Sequence, residues 1–259
     1  MQRIHLHFSK IADKYKDLRT TDPEPILLIR KKLRAPPQIE AADVGCGVGR
    51  YCSKLFDYFG GRLYLVCIDY CRGMLSQLVN DLKEKKIRDF VAINASGDAL
   101  PLSTCCVDAV FSFNSVHHFE ISKFLKESSR ILKSNRHLFI YTRLRNQNKT
   151  NIWGRFFPDF YEKETRLYEL GQLEQALKQV PSLRLERTEY FTYRRRAKLE
   201  WLITQARCHH YSTFCLYEER EFEEALKTFQ QLVTRHFKDT DNVVWHDQNT
   251  MLVIRKIAP

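Results

Sequence analysis

The chain alternates short apolar runs with stretches whose apolar residues recur every three or four positions. Residues 5–18 place Phe8, Ile11, Tyr15 and Leu18 on one helical face. Thr21-Asp22-Pro23 opens a second helix through Leu33, with proline at a first-turn position, and Pro36-Pro37 ends it. Ile39 to Val44 reads as a strand, 49–59 as a helix, Leu63 to Ile68 as a strand buried on both faces, and 72–86 as a helix. Strands follow at Phe90–Asn94 and Val107–Phe113. Ile121, Phe124, Leu125, Ser128, Ile131 and Leu132 then repeat at helical spacing, and Leu138–Thr142 is a fifth strand. This order predicts a parallel sheet with helices on both faces.

After Thr142 the rhythm changes. Residues 143–170 are polar, aromatic and basic without a clean period. A helix is expected near 172–179, an extended stretch over 183–193, and a helix over 197–207. An amphipathic helix over 218–237 puts Phe222, Ala225, Leu226, Phe229, Leu232, Val233 and Phe237 on one face. Val243–Trp245, a polar turn at Asp247-Gln248-Asn249, and Met251–Ile254 read as a closing hairpin. No internal repeat is visible.

Composition narrows the class. The 259 residues are 44% hydrophobic and 28% charged, which excludes disorder over most of the chain. No apolar run approaches the roughly 20 residues that span a bilayer, and no uninterrupted apolar segment follows Met1. The expectation is a cytoplasmic protein without membrane insertion. Eight cysteines without a C-x-x-C pair suit a reducing compartment. Cys208-His209-His210 with Cys215 is the nearest approach to a metal cluster; ordinary buried thiols are the alternative, and no metal is expected.

Net charge is +11, and it is uneven. Residues 41–142 carry 13 basic and 10 acidic side chains, residues 143–207 carry 14 and 8, and residues 208–259 carry 6 and 8. Arg194-Arg195-Arg196 is the densest cluster and reads as a solvated strand-to-helix turn. The surplus lies mostly outside the central block and suits an acidic partner, small or polymeric.

Asp43-Val44-Gly45-Cys46-Gly47-Val48-Gly49 ends the first strand and opens a helix. Glycines there allow a tight turn and close backbone approach to a ligand. The dinucleotide fingerprint G-x-G-x-x-G needs a glycine where Arg50 stands, which disfavours a nicotinamide-dependent oxidoreductase. Asp69, ending the second strand, is placed to accept ribose hydroxyls, and Asp98, after the third, to accept from an adenine amine. Together they describe a nucleoside across the carboxyl ends of a parallel sheet.

These residues, with Cys67-Ile68-Asp69-Tyr70, Met74-Leu75, Gly97-Asp98-Ala99-Leu100-Pro101-Leu102, the run from Val107 to Phe119 and Arg130-Ile131-Leu132-Lys133, resemble the class I S-adenosylmethionine-dependent methyltransferases of type 11 over about residues 5–142. The resemblance implies a Rossmann-like, seven-stranded, mostly parallel sheet with an antiparallel final strand and helical cap insertions. It implies one domain over 1–259, with core segments 36–142, 182–193 and 242–257 and cap segments 1–35, 143–181 and 194–241. It implies S-adenosylmethionine as cofactor and S-adenosylhomocysteine as product. Gly45, Cys46, Gly47 and Gly49 would line the methionine portion, with Asp43 near its amino group. Asp69 would hold the ribose, Met74 would pack near the adenine and Asp98 and Ala99 would contact its edge, with Tyr70 and Gly97 in the same cofactor site. Asn114 would pass beneath the sulfonium and Tyr15 would close over the cofactor. The usual Pro-Gly-Gly after the fifth helix is replaced by Ser134-Asn135-Arg136, which still suits a turn.

Methyl transfer needs alignment and exclusion of water more than acid–base groups. His117 and His118 follow the fourth strand at the rim, so one of them is a candidate base, with helix capping or core packing as the other reading. His209-His210-Tyr211 is a second candidate. Arg143, Arg155 and Tyr168 are candidate acceptor-binding residues, since arginine among aromatics suits an anionic, partly apolar molecule. The expected activity is methyl transfer to an oxygen or nitrogen of such a small molecule. Two alternatives stand beside it. One is a tRNA methyltransferase acting on modified wobble uridines, similar at Ile68–Cys71 and Ser115–Phe119. The other is a catalytically silent binding module.

Overall fold

The computed structural model describes residues 16–34 and 37–257. Tyr15 and the rest of the first expected helix up to that point lie outside them. The described elements are α1 (Glu24–Lys32), β1 (Ile39–Val44), α2 (Arg50–Phe59), β2 (Leu63–Asp69), α3 (Arg72–Glu84), β3 (Phe90–Asn94), β4 (Val107–Phe113), α4 (Ile121–Ile131), β5 (Leu132–Thr142), α5 (Arg145–Thr150), α6 (Ile152–Phe156), α7 (Phe160–Lys163), α8 (Leu170–Lys178), β6 (Leu183–Ala197), α9 (Leu199–Arg207), α10 (Glu219–His236) and β7 (Val243–Lys256). Short 3-10 turns cover Gly60–Arg62, Val116–His118 and Ser212–Leu216.

All seven strands form one sheet in the order β3-β2-β1-β4-β5-β7-β6. β1 pairs in parallel with β2 and with β4, β2 with β3, and β4 with β5. β7 runs antiparallel to β5, with Phe139 opposite Val253. The strand order therefore reverses between β1 and β4, the position where open parallel sheets bind ligands beyond their carboxyl ends.

Burial explains the apolar runs. Every residue of β4 is buried, as a central strand covered on both faces requires. Asp108, in that strand, is tolerated because its carboxylate pairs with Arg136 at 3.1 Å and Lys133 at 3.2 Å and accepts the Glu40 amide at 3.1 Å. α2 and α3 pack on β2, α3 also on β3, and α4 on β5.

Two compact units are distinguished. One comprises the sheet segments: residues 20–142, 170–189 and 250–257. The other comprises residues 16–19, 143–169 and 190–249. The division after Thr142 is where the sequence rhythm changes. α1 and α8, read from sequence as cap elements, group with the sheet, α1 packing on α2 and α8 on α4.

The second unit is built around Trp153, Phe157, Phe160, Phe214, Phe222 and Phe229, all buried. Trp153 stacks on Phe229 with centroids 5.0 Å apart. Its first segment lacked a readable period because α5, α6 and α7 are only 6, 5 and 4 residues long, too short to show a helical repeat. The Asn151 side chain caps α6 by accepting from the amides of Trp153 and Gly154.

Three sequence expectations are corrected. The closing hairpin is one continuous strand of 14 residues: Asp247 does not turn the chain but pairs with Arg143 and Arg195, each at 3.3 Å. Arg194–Arg196 lie within β6 rather than in a turn after it. Leu132 begins β5 instead of ending α4, and the Ser134-Asn135-Arg136 turn is a bulge inside that strand. There Asn135 takes φ +62° and the pairing steps from Val107–Leu132 to Ala109–His137.

Candidate functional site at the carboxyl ends of the strands

In the sheet unit, the loops after β1, β2, β3 and β4 converge on the reversal point. The first loop is shaped by Gly45, Gly47 and Gly49, at φ +75°, +55° and +74°. Side-chain-bearing residues adopt this left-handed region at a cost, which is why the G-x-G-x-G spacing appears. The amides of Gly45 and Cys46 donate to the Ile68 carbonyl at 2.8 and 3.1 Å, anchoring the loop to β2.

Asp69 joins the first two loops. Its Oδ2 accepts from the Gly47 amide and its Oδ1 from the Cys71 amide, each at 2.8 Å. Asn94, ending β3, donates from its side chain to the carbonyls of Asp69 (3.0 Å) and Tyr70 (2.7 Å). Three strand ends are thus laced together by two side chains. Tyr70 is largely exposed, whereas Met74 is buried in α3.

Asp43 is buried on the inner side of the glycine loop. Its Oδ2 accepts from the Cys52 thiol at 3.2 Å, and Cys52 in turn lies 3.8 Å from Cys67. Its Oδ1 has no hydrogen-bond partner. Burial, reinforced by Cys52, holds the Asp43 carboxyl well above the usual range, so it favours its neutral form.

In the third loop Gly97 is buried and Asp98 and Ala99 are more open. Asp98 Oδ1 accepts the Glu120 amide at 3.0 Å, just before α4. In the fourth loop Asn114 has φ +53° and donates its amide to the Tyr141 carbonyl at 2.7 Å. Ser115 bonds Ser112 at 2.8 Å and donates to the Val44 carbonyl at 2.9 Å, tying the fourth loop to the first. His117 and His118 follow on a 3-10 turn, their rings 4.1 Å apart, with His118 exposed.

Sequence reasoning gave no role to Phe119, Asn94 or Ser115. A Cβ on Gly97 would lie 3.0 Å from the Phe119 ring, and one on Gly45 would lie 2.9 Å from it. One aromatic ring therefore spaces the first loop from the third. Two glycines at the ends of different strands were the available signal, because each implies a close neighbour.

Arg143, Arg155 and Tyr168 belong to the other unit. Arg143 is buried, pairs with Asp247 and donates to the Tyr211 hydroxyl at 3.2 Å. Arg155 is exposed and lies over the Phe156 ring at 5.1 Å. Tyr168 is half-buried and its carbonyl accepts the Arg145 amide at 3.0 Å. His210 is a core residue, 5.2 Å from Trp153 and held by the Gln205 carbonyl, and burial keeps it neutral. The eight cysteines are free thiols, and among the described residues no group of three His, Cys, Asp or Glu is placed to hold a metal ion. Among them, too, no helix is long and apolar enough to cross a membrane.

Comparison with known proteins agrees with this geometry. Residues 42–140 match the family model described as "Methyltransferase domain". No curated protein sequence matches the chain. Among solved structures, one described as a methyltransferase from an antibiotic biosynthesis pathway of Anabaena variabilis superposes with TM-score 0.67 at 18% identity, covering 91% of this chain and 98% of that one. One described as a methyltransferase of Bacillus halodurans gives 0.63 at 14% identity, covering 92% and 100%. Geranyl diphosphate C-methyltransferase of Streptomyces coelicolor gives 0.58 at 13% identity, covering 90% and 78%. At these identities the likeness is one of fold. The strand order and the glycine loop agree with that match: residues 42–140 are similar to a methyltransferase domain, and the chain shares the fold of these solved methyltransferases.

Proposed function

We propose that the methyl acceptor is a small acidic or partly apolar molecule, methylated on an oxygen or nitrogen. S-adenosylmethionine, when bound, supplies a sulfonium methyl open to in-line attack. The residues of the sheet unit fit that group. A Cβ at Gly47 would meet nothing within 4 Å, so the loop backbone offers open space on that flank. Asp69, which accepts from the Gly47 and Cys71 amides, ends β2 with a carboxylate, a group whose lone pairs also suit hydroxyls. Asp43 Oδ1 is a buried polar atom still without a partner. Gly45, Cys46, Gly47 and Gly49 would hold the amino-acid portion with Asp43, Asp69 and Tyr70 the ribose, and Met74, Gly97, Asp98 and Ala99 the base, with Asn114 below the reacting centre. His118 or His117 would take the proton released by the acceptor.

The observation that carries the acceptor class is the pairing of arginines with aromatic rings in the second unit. Arg145 lies over Tyr161 and Arg195 over Tyr193, each at 4.6 Å, and Arg19 lies over Tyr211 at 4.1 Å. Each of these guanidiniums is also anchored at its edge, Arg195 by Asp247, Arg145 by the Glu164 carbonyl and Arg19 by the His210 carbonyl, and fixed arginines among aromatic rings suit a molecule with anionic and apolar parts. Geranyl diphosphate, bound in the Streptomyces coelicolor structure, has the same combination of anionic and apolar parts.

The test is calorimetry with S-adenosylmethionine and S-adenosylhomocysteine, then a labelled-methyl screen over metabolites and tRNA. Label on a small acid is the expected result, with binding that weakens little as salt rises. Label in tRNA, with steep salt dependence, would overturn the acceptor class. Absence of cofactor binding would favour the silent binding module.

A further inference from the structure

Leu27, Arg30, Lys31, Arg34 and Arg62 line a cleft of about 330 Å³. It lies at the amino ends of the strands, since Arg34 precedes β1 and Arg62 directly precedes β2. The glycine loop is at the opposite, carboxyl ends, so methyl transfer makes no use of this cleft. Among the described residues that line it, four are cationic and none is acidic. No described carboxylate pairs with Arg30, Lys31 or Arg34, whereas the adjacent Lys32 pairs with Glu186 at 3.0 Å.

Cations in the last turn of a helix complement its dipole, which accounts for Arg30 and Lys31 on α1. It does not account for Arg62, which belongs to the 3-10 turn before β2. Arg62 donates to the carbonyls of Arg34 (3.3 Å) and Pro37 (3.4 Å), which fixes its guanidinium against the chain leaving α1. Leu27, 47% exposed, gives the cleft an apolar wall. Gathering four positive charges costs mutual repulsion that a bound anion would relieve. Guanidinium forks suit phosphoryl oxygens in a bidentate way, and the volume is in the small-ligand range of roughly 300–1,000 Å³.

We propose that this cleft binds a phosphate-bearing ligand through a terminal phosphate or diphosphate group, with Leu27 against the adjoining apolar portion. The source is a free organic phosphate or the 5′ phosphate of a nucleic acid, which share that chemistry. The site is distinct from the methyltransferase centre.

The test is calorimetry of the full chain with inorganic pyrophosphate at 0.15 M salt, a concentration at which screening limits non-specific attraction. Saturable one-to-one binding is expected. The double variant Arg30→Ser, Lys31→Ser should weaken it about tenfold or more, in line with the loss of two charge-assisted contacts. The charge-matched Lys123→Ser, Lys126→Ser on α4 should leave it within about twofold, these side chains lying outside the cleft. All four positions are exposed, and circular dichroism of both variants checks the fold. A second arm compares a 5′-phosphorylated oligonucleotide with its 5′-hydroxyl counterpart. Tighter binding of the phosphorylated strand, lost in the first variant, supports the terminal-phosphate reading. Equal binding of both strands that is lost in the first variant would overturn it in favour of a surface that reads the phosphodiester backbone. Absent saturation by pyrophosphate, or equal loss in both double variants, would overturn the cleft itself.

Discussion

The Gly47 amide donates to Asp69 Oδ2 at 2.8 Å, joining the loop after β1 to the end of β2 across 22 residues of sequence. The same carboxylate holds the Cys71 amide, so it organises two loops before any ligand arrives. Asp69→Ala leaves both amides without their anionic acceptor. Such bonds contribute about 1.5–3 kcal/mol when charge is involved. The expected outcome is a stability loss of about 1–3 kcal/mol in urea unfolding and a drop of at least about tenfold in S-adenosylmethionine affinity by calorimetry. Unchanged affinity would remove Asp69 from the ribose site.

Gly45 and Gly47 differ in what surrounds them, and substitution should separate their roles. A Cβ on Gly45 would lie 2.4 Å from the Cβ of Ser115, which is itself anchored to the Val44 carbonyl. Gly45→Ala therefore combines left-handed strain with overpacking, and a loss of about 2–5 kcal/mol is expected. Gly47→Ala meets open space and costs only the strain, about 1–2 kcal/mol. Its methyl group intrudes where the cofactor would lie, so its larger effect should be on cofactor affinity. Thermal unfolding with and without cofactor distinguishes the two; equal behaviour would contradict the assignment of the open flank.

Asp43 predicts a pH dependence. Burial raises its carboxyl pKa in the folded chain above the unfolded value of about 3.9. The folded state then binds more protons than the unfolded one. The stabilisation is fully present below about pH 3.9 and is lost as pH rises toward the folded-state pKa, at up to about 1.4 kcal/mol per pH unit. Asp43→Asn carries no such proton. The difference in unfolding free energy between wild type and Asp43→Asn should shift against the wild type as pH rises above about 3.9. Parallel curves above that pH would contradict the raised carboxyl of Asp43.

Much of this architecture was written in local pattern. β1, β2 and β4 read as strands because a central parallel strand is apolar throughout, and Gly45, Gly47 and Gly49 read as a ligand loop because few residues accept that backbone. Phe119 was not legible in the same way. Its position against both Gly45 and Gly97 depends on loops far apart in sequence being brought side by side. The β7 hairpin was misread because Asp247-Gln248-Asn249 has turn composition, while the reason it stays extended is remote: Arg143 and Arg195 supply the charges that Asp247 meets. Short helices such as α7 bury Phe160 without completing a hydrophobic repeat, so the aromatic unit showed only as composition.

His118 is the first candidate base of the proposed function. It is exposed on the turn after β4, its ring 4.1 Å from that of His117 and its amide held by the Ser115 carbonyl at 2.9 Å. Ser115 is in turn bonded to the Val44 carbonyl, so the backbone beneath the imidazole is fixed to the strand that carries the glycine loop. Under the proposed function an imidazole so placed is exposed to solvent and is the candidate base. With the acceptor identified by the labelled-methyl screen, His118→Ala should lower turnover by about 10²-fold or more, the usual scale for a general base. Cofactor affinity should stay within about twofold, because Asp69 and the glycine loop are untouched. His117→Ala serves as the companion variant. If the proton passes through His117 instead, the loss of rate will appear there, and His118→Ala will turn over at the wild-type rate.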